Sequence, residues 1–268
     1  MSDSSIEGID EAGVASWFAA QIAGAVPPFR YELIAGGHSN LTFRVQDDNG
    51  NVYVLRRPPL GQVLATAHDM EREHRVVSAV GQTAVPVPAT RGVCEDVEVN
   101  GAPFYVMAYV EGAVLHSDIE AALITPKDRM NLSREVVEVL AELHSVEPDE
   151  IGLGDLAKRE EYLSRQLRRW SRQWEQSKTR ELDTMEEVQR LLEQHMPTQI
   201  GSTIVHGDYR LGNMLVDSGS IRAVLDWELC TLGDPLADVG YLLNNWVDPD
   251  ETPAGSSAPT LAGGFATR

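Results

Sequence analysis

The chain has 268 residues, with 22 Lys and Arg against 41 Asp and Glu, for a formal net charge of −19. That length fits one large domain or two lobes at roughly 100–200 residues per domain, and 43% hydrophobic with 24% charged residues excludes wholesale disorder. So acidic a balance excludes a nucleic-acid partner held through bulk charge, because phosphate contacts need Lys and Arg. Cys94 and Cys230 are too few for a disulfide framework and suit the reducing cytoplasm. The first residues carry no apolar signal core, and no apolar run of about 18 residues follows, so no membrane partner is expected.

In chain order, residues 11–25 form a short helix closed by Pro27-Pro28. Residues 29–59 read as strands: Tyr31, Leu33 and Ala35 alternate with Glu32 and Ile34, then Leu41, Phe43 and Val45 with Thr42, Arg44 and Gln46, and Val52-Tyr53-Val54-Leu55 follows. Asp48-Asn49-Gly50 is a strong hairpin-turn signal, and Gly36-Gly37-His38-Ser39-Asn40 separates the first two strands. Residues 66–80 predict a helix, and residues 90–99 and 103–110 a second strand pair joined at Asn100-Gly101.

After Glu111-Gly112 the pattern turns helical. Thr125-Pro126-Lys127-Asp128 starts a helix, with an N-cap Thr and Pro in the first turn, and Leu132, Val136, Leu140 and Leu143 line one stripe. A second helix is predicted over about 156–176, with Leu163, Leu167, Trp170 and Trp174 on its buried side, and a third over about 183–196. Short apolar runs follow at Ile204-Val205, Met214-Leu215-Val216 and residues 221–225, and Asp234-Pro235 opens a last helix containing Tyr241, Leu242 and Trp246. From Asp248 onward Pro, Ser, Gly and Ala predict a loop or tail.

Chemistry concentrates in His206-Gly207-Asp208-Tyr209-Arg210-Leu211-Gly212-Asn213 and in Asp226. Asp208 follows one short strand, Asn213 precedes the next, and Asp226 ends the third, so three oxygen-bearing side chains meet at adjacent strand ends. Such hard oxygens suit Mg²⁺. A further carboxylate beside a metal can accept a proton from an attacking hydroxyl, which is most of what phosphoryl transfer asks of a protein.

The Asp208-to-Asn213 spacing is that of the protein-kinase catalytic loop. With Leu225-Asp226-Trp227-Glu228 and Gly233-Asp234-Pro235 followed by Asp238, the chain resembles the aminoglycoside phosphotransferase and choline kinase family. Within it the chain is most similar to the bacterial branch related to the kinase domains fused to acyl-CoA dehydrogenases. The resemblance implies an α+β, protein-kinase-like two-lobe fold. Residues 1–110 would be a β-rich N-lobe with one main helix, the ATP phosphate loop and the hinge strand. Residues 111–268 would be a mainly helical C-lobe with the catalytic loop, metal site and acceptor site, and a short C-terminus.

It also implies roles. ATP would be the phosphoryl donor and Mg²⁺ the cofactor. Asp208 would be the catalytic base, Asn213 and Asp226 metal ligands, and His206 a structural support. Arg210 stands where protein kinases place a Lys on the transferred phosphate. Asp234 and Asp238 would be structural, Asp234 capping the helix at Pro235. Gly36, Gly37, Ser39 and Asn40 would form the phosphate loop. Arg56 stands where the family usually has a phosphate-binding Lys, a change of shape at constant charge; it is preferred to Arg57 because it shares a strand face with Val54. Glu73 is its expected partner rather than Glu71, since Met70, Glu73, Val77 and Val80 fall on one helical stripe. Ala108 and Val110 would offer backbone groups to adenine.

The acceptor is less legible. The acidic composition favours a cationic acceptor such as an aminoglycoside. Arg165, Arg168, Arg169 and Arg172 form a helical stripe that could meet an anionic one such as a hydroxyacyl-CoA, or could be a solvated face paired with Glu161 and Glu175. The expected function is an ATP-dependent phosphotransferase acting on a hydroxyl of a small molecule, with a nucleotide-binding pseudokinase as the alternative. The tail after Trp246 leads one to expect either a fragment or a shortened member with an open acceptor site.

Overall fold

The computed structural model describes residues 6–35, 40–61, 69–253 and 257–268. Gly36, Gly37, His38 and Ser39 of the expected phosphate loop, and residues 66–68 of the second predicted helix, lie outside the described residues.

Five antiparallel strands, β1 (Arg30–Ala35), β2 (Leu41–Gln46), β3 (Val52–Arg57), β4 (Thr90–Cys94) and β5 (Phe104–Ala108), form one sheet in the order β1-β2-β3-β5-β4. The β2–β3 turn is tied by Asp47, whose carboxylate accepts from the backbone N–H of Asn51 at 2.7 Å and from its side-chain amide at 2.8 Å. Gly50 takes the positive φ of 84° that the turn needs. Helix α1 (Glu11–Gln21), capped by Asp10, buries Val14 and Phe18 among Phe29, Phe43, Tyr53 and Phe104 on one face of the sheet. It stops four residues before the expected end, because Ile22 leaves helical geometry and caps it. On the other side runs α2 (Met70–Val80), capped by Asp69 and burying Met70, Glu73, Val76, Val77 and Val80.

The strand expected over residues 90–99 ends at Cys94. Asp96 accepts from the Glu98 N–H and starts the single turn α3 (Val97–Asn100), which Gly101 closes at φ 69°. Local capping outweighs strand propensity there.

The helical lobe is built on α5 (Pro126–Ser145). Thr125 caps it by accepting from Asp128 N–H, and Leu132, Val136, Leu140 and Leu143 are buried. Two small sheets lie beside it, β6 (Ala113–Val114), β8 (Met214–Asp217) and β9 (Ser220–Val224) in the order β6-β8-β9, and β7 (Thr203–Val205) with β10 (Thr231–Gly233). Short α4 (Asp118–Ala121) precedes α5, and α8 (Leu236–Asn245) follows β10.

Two expectations are corrected here. The helix predicted over 156–176 is α6 (Tyr162–Ser177), and its apolar side is not a buried face: Tyr162 alone is buried, Leu163, Leu167 and Trp174 are half-buried, and Trp170 is 51% exposed. Helix α7 (Asp183–Gln194) packs on α6 and buries none of its residues. Periodicity identifies an apolar stripe without saying whether anything covers it. The tail also does more than expected. Trp246 donates its indole N–H to Ala266 O at 2.8 Å, Val247 N–H donates to Thr260 Oγ1 at 3.0 Å, and Ala266 N–H donates to Ser133 Oγ at 3.0 Å, so residues 257–268 fold back onto α5 and the end of α8. Among the described residues no helix is long and apolar enough to cross a membrane.

Candidate active site

Strand β7 delivers His206, Gly207 and Asp208 to the cleft between sheet and helical lobe. The turn leaving it is fixed by Asp238 of α8, fully buried, which accepts from His206 N–H and Gly207 N–H at 2.8 Å each and meets His144 Nε2 at 3.1 Å. Gly207 sits at φ 87°, and a Cβ there would lie 2.9 Å from Leu229 O, so only glycine fits without strain. His206 is fully buried. Its Nε2 bonds Leu225 O at 3.0 Å and its Nδ1 accepts from Asp208 N–H at 3.2 Å. That pairing places the single proton on Nε2, and burial lowers the pKa of the ring, so His206 is a neutral brace between the Asp208 turn and the end of β9.

Asp208 presents its carboxylate to two donors, Arg210 Nε at 3.1 Å and Asn213 Nδ2 at 2.7 Å. Asn213 Nδ2 also donates to Asp208 O at 2.9 Å. These bonds orient the Asp208 carboxylate and turn the Asn213 amide nitrogen toward it. The Tyr241 hydroxyl of α8 lies beside Asp208; burial and this carboxylate raise its pKa.

Asp226 follows β9 at a left-handed φ of 64°, an uncommon conformation for a residue with a Cβ. Across the cleft Arg56, on β3 and 11% exposed, joins Glu73 (Nε–Oε1 3.0 Å), donates through Nη2 to Asp226, and lies 3.9 Å from Glu228. Burial works against the guanidinium charge, but Glu73, Tyr105 and Asp226 outweigh it and raise its pKa. Burial likewise pushes the Glu73 carboxyl up, against the pull of Arg56. Glu228 is pushed up to about 7 by burial, with the charge of Asp226 adding to it.

Arg56 thus pairs with Glu73, while Glu71 is exposed. Asn40 is buried, its amide turned to Glu228 at 3.1 Å and Glu73 at 3.4 Å. The Ala108 N–H already donates to Ala89 O at 2.8 Å, and Val110 is half-buried. On α6, Arg168 meets Glu161 at 3.8 Å, while Glu175 pairs with Lys178 at 3.0 Å rather than with an arginine of the stripe. Glu228, Tyr105, Tyr241 and His144 escaped the sequence reading. Only Glu228, two residues beyond Asp226 in the same motif, carried a local signal.

Four carboxylates, Glu73, Asp208, Asp226 and Glu228, face two guanidiniums, Arg56 and Arg210. Among the described residues no group of three or more His, Cys, Asp or Glu side chains is placed to hold a metal. One carboxylate and one amide oxygen instead match the sparse set by which proteins hold Mg²⁺ when phosphates and water complete its shell.

The family described as the phosphotransferase enzyme family matches residues 30–261. The chain is 37% identical over 207 residues to mouse acyl-CoA dehydrogenase family member 10, covering 76% of this chain and 19% of that protein. It is 36% identical over 227 residues to chicken acyl-CoA dehydrogenase family member 11, covering 84% and 28%. It therefore spans less than a third of the length of these curated relatives. Among solved structures, a Ralstonia eutropha protein named for the aminoglycoside phosphotransferases superposes with a TM-score of 0.77 at 35% identity, over 93% of this chain and 74% of the other. A streptomycin–ATP ternary complex of APH(2")-IIa superposes at 0.64 and 19% identity, over 91% and 78%, a likeness of fold.

Proposed function

The chain belongs to the phosphotransferase enzyme family, and from that premise we propose that it transfers the terminal phosphoryl group of ATP to a hydroxyl of a small molecule. The observation that carries the proposal is Asp208, oriented by Asn213 and Arg210 at the end of β7, set opposite an Arg56–Asp226 pair. Asp208 accepts a hydrogen bond from the acceptor hydroxyl and takes its proton as the oxygen attacks phosphorus. Arg210 and Arg56 offer guanidinium groups to phosphate oxygens. Mg²⁺, held by Asn213 and Asp226, would neutralise the charge on the phosphates. Residues 1–110 form the nucleotide roof in this reading, with Arg56 at the phosphates and the backbone of Ala108 and Val110 at the adenine. Residues 111–268 carry the acceptor side. Two free, buried cysteines suit a cytoplasmic setting.

Two acceptor classes follow from the comparisons. The solved neighbours, one of them 35% identical, are named for aminoglycosides, while curated relatives of similar identity are named as acyl-CoA dehydrogenase family members, which makes a hydroxylated acyl-CoA the second candidate. ADP release with Mg-ATP, measured against a panel of aminoglycosides, hydroxyacyl-CoA esters and neutral polyols, separates them. Release stimulated by one class identifies it. Tight Mg-ATP binding with no transfer to any member would favour the pseudokinase.

A further inference from the structure

Asn40 and Glu228 lie on opposite sides of the cleft. Asn40 directly precedes β2, and Glu228 sits in the turn Trp227–Leu229 that follows Asp226. Asn40 is 3% exposed, and its Nδ2 donates to Glu228 Oε2 at 3.1 Å and to Glu73 Oε2 at 3.4 Å. A neutral amide with two protons thus bridges two carboxylates that would otherwise repel one another. Arg56 makes the second crossing, to Asp226. Helix α2 is fastened to the helical lobe separately, through Arg72 Nη2 to Cys230 O at 2.6 Å and Arg75 Nη2 to Gly152 O at 2.6 Å.

The two crossings respond differently to a nucleotide. A guanidinium is a strong phosphate ligand, so phosphates that engage Arg56 compete with Asp226 for it. An amide is a weak competitor for phosphate, and the Asn40–Glu228 bond has no such conflict. We propose that Glu228 is a positioning residue which, through Asn40, clasps the start of β2 against the Asp226 turn, so that the cleft stays closed when Arg56 turns from Asp226 to phosphate. The inference rests on the nucleotide-binding reading above and assigns to Glu228 a task distinct from metal ligation.

A double-mutant cycle tests it. Mg-ATP affinity is measured by calorimetry for the wild type, Asn40→Ala, Glu228→Ala and the double variant, with thermal unfolding as the check on folding. Each single substitution should weaken binding on the order of tenfold, the scale of one charge-assisted hydrogen bond, and the double should be no weaker than the worse single. Glu228→Gln, which keeps an oxygen facing Asn40, should recover most of the affinity at an unchanged Mg²⁺ requirement. Multiplying fold-losses in the double variant would overturn the clasp. So would Glu228→Gln binding as weakly as Glu228→Ala while needing more Mg²⁺, which is the behaviour of a metal ligand. If the folded wild type binds no Mg-ATP, the phosphotransferase reading fails instead. The clasp is then judged by hydrogen exchange of the Leu41–Gln46 amides in the nucleotide-free protein: exchange faster in each single variant and no faster in the double supports it, and unchanged exchange overturns it.

Discussion

Arg56→Met removes the cation that lies against Glu73. Glu73 is 2% exposed and Arg56 11%, so the substitution leaves a carboxylate buried without its counter-ion. Breaking a buried pair in this way costs about 3–5 kcal/mol, which at about 2 °C per kcal/mol for a protein of this size lowers Tm by roughly 6–10 °C. Glu73→Leu in the same background removes the stranded charge and should restore most of the loss, since an apolar pair of similar volume is tolerated where an unpaired charge is not. The effect has a pH signature. In Arg56→Met, burial, the largest influence on Glu73, is no longer opposed by the guanidinium and holds its folded pKa above the unfolded value. Protonated Glu73 is then the favoured buried form, so the variant keeps more stability at low pH and loses it as pH rises through the folded pKa. Urea unfolding of the wild type, both single variants and the double at pH 5 and pH 8 reads all of this. A double variant as unstable as the sum of the singles, or a deficit of Arg56→Met that does not grow with pH, would refute the reasoning.

Other expectations follow from the same cleft. Asp238→Asn keeps the size of the side chain but must turn its NH₂ toward the N–H of either His206 or Gly207, both of which now donate to a carboxylate oxygen; it should cost about 1–3 kcal/mol in urea unfolding and reduce turnover through Asp208. Gly207→Ala meets Leu229 O at 2.9 Å and a left-handed backbone, and should cost upwards of about 1–2 kcal/mol, with near-normal stability as the contrary result. Because the folded pKa of Glu228 is raised from 4.5 to about 7, its protonated form favours the folded state below pH 4.5. That contribution fades as pH rises through about 7 in the metal-free protein. Glu228→Gln should flatten that part of the pH–stability curve, and an identical slope in the variant would count against it.

Much of the cleft was readable because its signals are local. His206, Asp208, Asn213 and Asp226 sit within 21 residues of one another, and short strands fix their spacing. Glu73 could be separated from Glu71 because a helix has a period and one face of α2 is apolar. What escaped depends on contacts distant in sequence. Asn40 meets Glu228 across 188 positions, and Asp238 reaches back to the amides of His206 and Gly207 across 32 and 31. No periodicity encodes such pairings. The buried side assigned to α6 failed for the same reason: Trp170 and Trp174 share a stripe, but burial needs a partner surface that the stripe cannot specify. The strand over 90–99 ended early because Asp96 offered the backbone a cap, a choice between two local preferences that composition alone does not decide.

A metal-dependent nucleotide site at Asp226 with a separate base at Asp208 can be probed by calorimetric titration of ATP, with and without Mg²⁺, into the wild type, Asp226→Ala and Asp208→Asn. Binding should depend on Mg²⁺ in the wild type, persist in Asp208→Asn, and be lost in Asp226→Ala. Equal loss of affinity in both variants, or binding indifferent to Mg²⁺ in all three, would contradict it.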